Sequence, residues 1–124
     1  MQLELDNMYS PQLLDHFQNP RNAGDVTDAD ATVEIENPAC GDVLRLSLKV
    51  KSGCIAEIRF KAKGCVPSMA CASALTELVA GQPLMECRNL QRDALIAAVG
   101  GLPQASTHAA QLALDALSAA LRQL

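Results

Sequence analysis

The chain of 124 residues has no tryptophan, one tyrosine and two phenylalanines, which leaves little aromatic surface for stacking nucleic-acid bases. It has no basic excess either. Ten Lys and Arg against fourteen Asp and Glu give a net charge of −4, the opposite of the basic stripe that a nucleic-acid module carries. No run approaches the ~18 consecutive apolar residues of a membrane helix. The opening Met1-Gln2-Leu3-Glu4-Leu5-Asp6 lacks the basic and apolar parts of a secretion leader, so the cytoplasm is the expected compartment. Neither nucleic acid nor membrane is an expected partner. The polar, apolar-poor profile of a disordered chain is absent too: 49% of residues are hydrophobic and 19% charged, which predicts a core filled by Leu, Ala, Val and Ile. The length predicts a single domain over 1–124, with 1–7 as a flexible tail.

Five cysteines remain to be explained. An odd count without a leader argues against a disulfide framework and for thiol, metal or sulfur chemistry.

The expected fold is α+β. Ser10 as N-cap, Pro11 in the first turn and the Leu13, Leu14, Phe17 stripe predict a helix over about 10–18, ended by Asn19-Pro20. Arg21 to Asp30 reads as a loop. Period-two alternation then predicts three strands, about 31–36, 43–51 and 54–62, the third with Cys54, Ala56, Ile58, Phe60 and Ala62 inward. Ser52-Gly53 is a tight-turn signal joining the last two as a hairpin. One polar and one apolar face per strand predict an antiparallel three-stranded sheet, wet on one side. Past Gly64 the period becomes helical, with helices expected at about 67–80, 90–99 and 107–121, packed mainly on one sheet face, and Ser106 or Thr107 capping the last.

In such a meander the loop between the first two strands and the exit of the third lie at one end of the sheet. Cys40, in Asn37-Pro38-Ala39-Cys40-Gly41-Asp42, and Cys65 therefore share an edge, on strands about 5–10 Å apart. The positive end of the helix after Cys65 suits an anionic sulfur, and Gly41 and Gly64 let the backbone turn around a bound object. Asp42 offers a carboxylate or caps a turn; His108, opening the last helix, offers an imidazole at the same edge or is an ordinary helix-end residue. Cys54, Cys71 and Cys87 read as small buried hydrophobes, and Cys71 reaches the site as an auxiliary ligand only if its helix starts late. His16 reads as a surface residue.

Tyr9-Ser10, Asp15-His16-Phe17-Gln18-Asn19-Pro20-Arg21-Asn22-Ala23-Gly24, Pro38-Ala39-Cys40-Gly41-Asp42-Val43, Phe60-Lys61-Ala62-Lys63-Gly64-Cys65 and Thr76-Glu77 with Gly81 form a long ordered set. From Tyr9 to Leu121 the chain resembles the U-type iron–sulfur cluster assembly scaffolds, the IscU family and the N-terminal domain of NifU. The resemblance implies a carrier and no enzyme: it takes sulfur from a cysteine desulfurase and iron from a donor, assembles a [2Fe–2S] cluster and passes it to an apoprotein. It implies Cys40 and Cys65 as ligands, Asp42 as the acid that keeps the cluster labile, His108 as the family's histidine, and zinc at the same place when no cluster is present.

Three departures accompany it. The cysteine that follows the family's histidine is Ala109 here, a missing ligand position. The Leu-Pro-Pro-Val-Lys stretch read by a dedicated chaperone is reduced to Leu102-Pro103-Gln104-Ala105-Ser106, so that partner is not implied. The insertion of the zinc-dependent sulfur-acceptor branch is absent. Cys40, Cys65, Asp42 and His108 make a reasonable tetrahedral zinc set, and a weak [2Fe–2S] set unless Cys71 or a second chain contributes. Three readings follow in rank order: a scaffold-like protein binding iron or a cluster transiently, a zinc-binding persulfide acceptor, and a non-metal interaction module for a desulfurase.

Overall fold

A computed structural model describes residues 8–38 and 41–124; the expectations for the tail 1–7 and for Cys40 lie outside the described residues. The first helix, α1 (Pro11–Gln18), starts where the sequence places it. Ser10 Oγ accepts from Leu13 N–H at 3.0 Å, and its own hydroxyl donates to the Val99 carbonyl. One cap thus satisfies an orphan helix donor and ties the helix to a distant segment.

Three strands follow, β1 (Ala31–Asn37), β2 (Asp42–Lys51) and β3 (Cys54–Lys63), in one antiparallel sheet of order β1-β2-β3. Ser52 and Gly53 both have positive φ, 55° and 76°, as a primed two-residue hairpin turn requires. The alternation holds along β2, where Leu44, Leu46 and Leu48 are buried.

Along β3 it fails at the start. Lys49 pairs with Glu57 but Val50 with Ile55, so Ala56 is the extra residue of a bulge. Ile55 is fully buried, Ala56 is exposed and Cys54 is half-buried, reversing the expected inward set at that end. A one-residue slip exchanges the faces of every side chain before it.

The outer face is also less wet than expected. Residues 22–24 run along the edge of β3, where Phe60 N–H donates to the Asn22 carbonyl at 2.9 Å and Gly24 N–H to the Phe60 carbonyl at 2.8 Å. The chain then crosses the sheet. Val26 N–H donates to Ser47 Oγ at 2.9 Å, and both residues are buried.

The remaining helices are α2 (Val66–Val79), α3 (Leu84–Arg88), α4 (Arg92–Ala98) and α5 (Thr107–Arg122), with a 3₁₀ turn at Gln104–Ser106. The sequence reading did not separate α3 or the 3₁₀ turn, both too short for a periodic signal. Neither Ser106 nor Thr107 caps α5. The preceding 3₁₀ turn holds Ser106 at φ −106°, ψ 6°, outside the extended region of a capping residue, and Thr107 Oγ1 donates to the Gln104 carbonyl at 3.1 Å instead.

Helix α2 packs over β3, and α5 over β1 and β2. Leu46, Leu48, Ile55, Leu75 and Leu95, all at 0% exposure, form the centre of the core between the helices and the sheet. No helix among the described residues is long and apolar enough to cross a membrane.

Helix α1 lies against α2, which corrects the reading of His16 as a surface residue. His16 is buried, with Nδ1 2.8 Å from Ser73 Oγ and Nε2 3.7 Å from Glu77 Oε1. Helix α2 is buried nearly all round, so Ser73 and Thr76 on it need polar partners. His16 supplies one, and Arg21 N–H, 2.9 Å from Ser73 Oγ, another.

Candidate metal centre

The sheet delivers two chain segments to one end. Asn37 pairs with Asp42 and Val43 with Lys63, so the start of β2 and the exit of β3 are neighbours. Gly64 turns the chain at φ +147°, and Cys65 becomes the N-cap residue of α2 at φ −74°, ψ 161°. The Cys65 side chain makes no capping hydrogen bond. Asp42 caps the helix from outside: its Oδ1 accepts from Cys65 N–H at 3.0 Å. A carboxylate suits that position because the first backbone donors and the positive end of the helix dipole converge there.

The other carboxylate oxygen is shared. Asp42 Oδ2 accepts from the Ser68 hydroxyl at 2.6 Å and lies 3.3 Å from Cys65 Sγ. Asp42 is only 2% exposed, so these contacts replace water around a buried charge-bearing group.

His108 reaches the same point from α5. Its Nδ1 donates to the Ala105 carbonyl at 3.2 Å, so in the neutral ring the lone pair is on Nε2. Nε2 is buried, has no hydrogen-bond partner among the described residues and stands 3.7 Å from Asp42 Oδ2. Two electron-rich atoms facing each other is an arrangement that a cation completes.

The spacing agrees. Donor atoms of Asp42, Cys65 and His108 all lie within 4.8 Å of one another. Tetrahedral bonds of about 2.0–2.3 Å place donors about 3.3–3.8 Å apart, against 3.3 Å for the Cys65–Asp42 pair and 3.7 Å for the His108–Asp42 pair. Beside His108 lies a cavity of about 260 Å³, lined also by Asn37, Pro38, Gln111 and Asp115.

Residues 8–124 match the family model of the NifU-like N-terminal domain. The chain belongs to this family. An iron–sulfur cluster assembly scaffold protein IscU from Archaeoglobus fulgidus is 43% identical over 114 residues, covering 92% of this chain and 74% of its own length. The protein of that name from Azotobacter vinelandii is 41% identical over 118 residues, 92% of this chain and 91% of its own. The crystal structure of a nitrogen-fixing NifU-like protein (N-terminal) from Brucella abortus superposes with a TM-score of 0.77 at 22% identity, covering 96% and 95% of the two chains, a likeness of fold.

Of the candidate residues in this NifU-like chain, the structure brings Asp42, Cys65 and His108 together. Cys40 falls outside the described residues. Of its described neighbours, Gly41 N–H donates to the Asn37 carbonyl at 2.7 Å. Ala109, one residue past His108, is buried in the core.

Cys71 is not one of the converging donors. Its helix begins at Val66 rather than late, the residue is fully buried, and burial, then the neighbouring Cys65, push its thiol up to about 12. Cys87 is buried in α3 with its thiol pushed up by burial, and Cys54 lies at the opposite end of β3. Ser68 was not among the sequence candidates. Its signal was its place three residues after Cys65, where a side chain in the first helical turn reaches back toward the N-cap.

Proposed function

We propose that this chain is an iron–sulfur cluster assembly scaffold. Cys40, Asp42, Cys65 and His108 would hold the growing cluster. The cluster, a [2Fe–2S] unit or iron on the way to one, is cargo that is bound and handed on without turnover. The observation that carries this reading is the convergence of carboxylate, thiol and imidazole donors within 4.8 Å at the mouth of α2, with His108 Nε2 buried and without a hydrogen bond among the described residues. The names of the IscU relatives support it. The chemistry needs a cysteine desulfurase as source of sulfane sulfur, an electron donor that with ferrous iron reduces it to sulfide, an iron donor and an apoprotein acceptor.

The donor set suits temporary holding. A cluster of two irons is ordinarily gripped by four thiolates. Here an oxygen and a nitrogen donor replace two of them, and Ala109 adds none. The same set accepts zinc, a tetrahedral ion that binds sulfur, nitrogen and oxygen alike.

Anaerobic reconstitution with ferrous iron, sulfide and a desulfurase tests the proposal. Visible absorption that disappears in Cys40→Ala and Cys65→Ala is the expected result. A colourless protein holding about one zinc per chain would replace it with persulfide acceptance, and a protein holding neither metal would leave only an interaction module.

A further inference from the structure

We propose that Ser68 is a positioning residue of this centre: its single hydroxyl proton rests on Asp42 in the metal-free protein and turns to the Cys65 sulfur when metal takes the carboxylate. The inference rests on the metal-binding reading of the site and adds a residue that reading does not use.

The geometry comes first. Ser68 occupies the first turn of α2 and is 5% exposed. Its Oγ lies 2.6 Å from Asp42 Oδ2 and 3.1 Å from Cys65 Sγ, so both acceptors are within reach of one proton. A serine hydroxyl has one donor and rotates about its C–O bond, so switching acceptor moves no heavy atom. Cys65 N–H is already given to Asp42 Oδ1.

The two acceptors do not need the proton at the same time. Without metal, the buried carboxylate is the stronger claimant, and the 2.6 Å distance is that of a charge-assisted bond. With metal bound, the cation on Asp42 Oδ2 repels a proton beside it, and Cys65 binds as a thiolate. The sulfur 3.1 Å away then becomes the better acceptor. A hydrogen bond on a metal-bound sulfur lowers its lone-pair energy and weakens its donation, one of the means by which proteins tune such ligands. Ser68 thereby holds Asp42 in place before loading and moderates the grip of Cys65 afterwards.

Cobalt(II) added without oxygen to the full chain tests this, read by the near-ultraviolet sulfur-to-cobalt charge-transfer band. The wild type should give a band that is lost in Cys65→Ala. In Ser68→Ala the band should move to longer wavelength, because the sulfur lone pairs rise in energy without their hydrogen bond; Ser68→Thr should keep the wild-type position. A residue of structural importance only would lower the amount of cobalt bound without moving the band. Coincident bands in wild type and Ser68→Ala would overturn the role of Ser68 and leave the metal centre standing. A wild type with no band, or with one that persists in Cys65→Ala, would overturn both. If circular dichroism shows Ser68→Ala unfolded, the Thr and Val variants, equal in shape, isolate the hydroxyl: the Val band should lie at longer wavelength, and equal positions would refute the proposal.

Discussion

A β-carbon placed on Gly64 would stand 2.0 Å from Oδ1 and 3.0 Å from the Cα of Asp42. The chain approaches the carboxylate so closely because Cys65 N–H bonds to that same oxygen at 3.0 Å. Gly64→Ala, already strained at φ +147°, is expected to destabilise the protein by more than about 1 kcal/mol in denaturant titration and to abolish cobalt binding. In an Asp42→Ala background the same change should cost less, since the two nearest clashing atoms are gone. Strict additivity in the double-mutant cycle would show that the contact is not the cause.

Metal should stabilise the fold. Binding to the folded state alone adds about 2.7 kcal/mol at a hundredfold excess over the dissociation constant, a rise in Tm of about 10 °C for a domain of this size. Chelation of a verified metal-loaded sample should remove that rise, and Cys65→Ala should never show it. Calorimetry with and without chelator reads both.

Filling the missing ligand position is expected to strengthen the centre. Ala109→Cys should increase cluster yield or lifetime after anaerobic reconstitution, followed by visible absorption. An unchanged yield would mean that residue 109, buried in the first turn of α5, does not face the cargo.

His16 predicts a pH dependence unrelated to metal. Burial, and next the nearby Arg21 charge, lower its pKa below the ordinary value of 6.5, while Glu77 and Asp15 oppose this in part. The neutral ring is favoured in the folded state, so the unfolded chain binds the extra proton more readily. Stability is therefore complete above about pH 6.5 and falls as the pH drops below it. His16→Gln, measured by denaturant midpoints between pH 5 and 8, should show a smaller loss on acidification than the wild type. Equal slopes would assign the acid sensitivity to other groups.

The strands, the Ser52-Gly53 turn and the helices α1, α2 and α5 were legible because each rests on a local pattern: alternation, a Ser-Gly pair between two alternating runs, an apolar stripe in α1 and α5, and a proline after α1 or a glycine after α2. The convergence of Asp42 with Cys65 was legible for the same reason, since a meander fixes which strand ends meet. The bulge at Ala56 was not, because Cys54 and Ala56 fit the alternation and only pairing with β2 exposes the slip.

What the amino acids determined alone is therefore the element types, their meander order, the family motifs, and the site residues that lie in loops at strand ends. Tertiary packing decided the rest. It buried His16 against Ser73, brought His108 of α5 to within 3.7 Å of Asp42, and set Ser68 between carboxylate and sulfur. The reason is physical: periodicity reports which face of an element seeks cover, whereas the distance between two polar atoms depends on how the elements settle against one another.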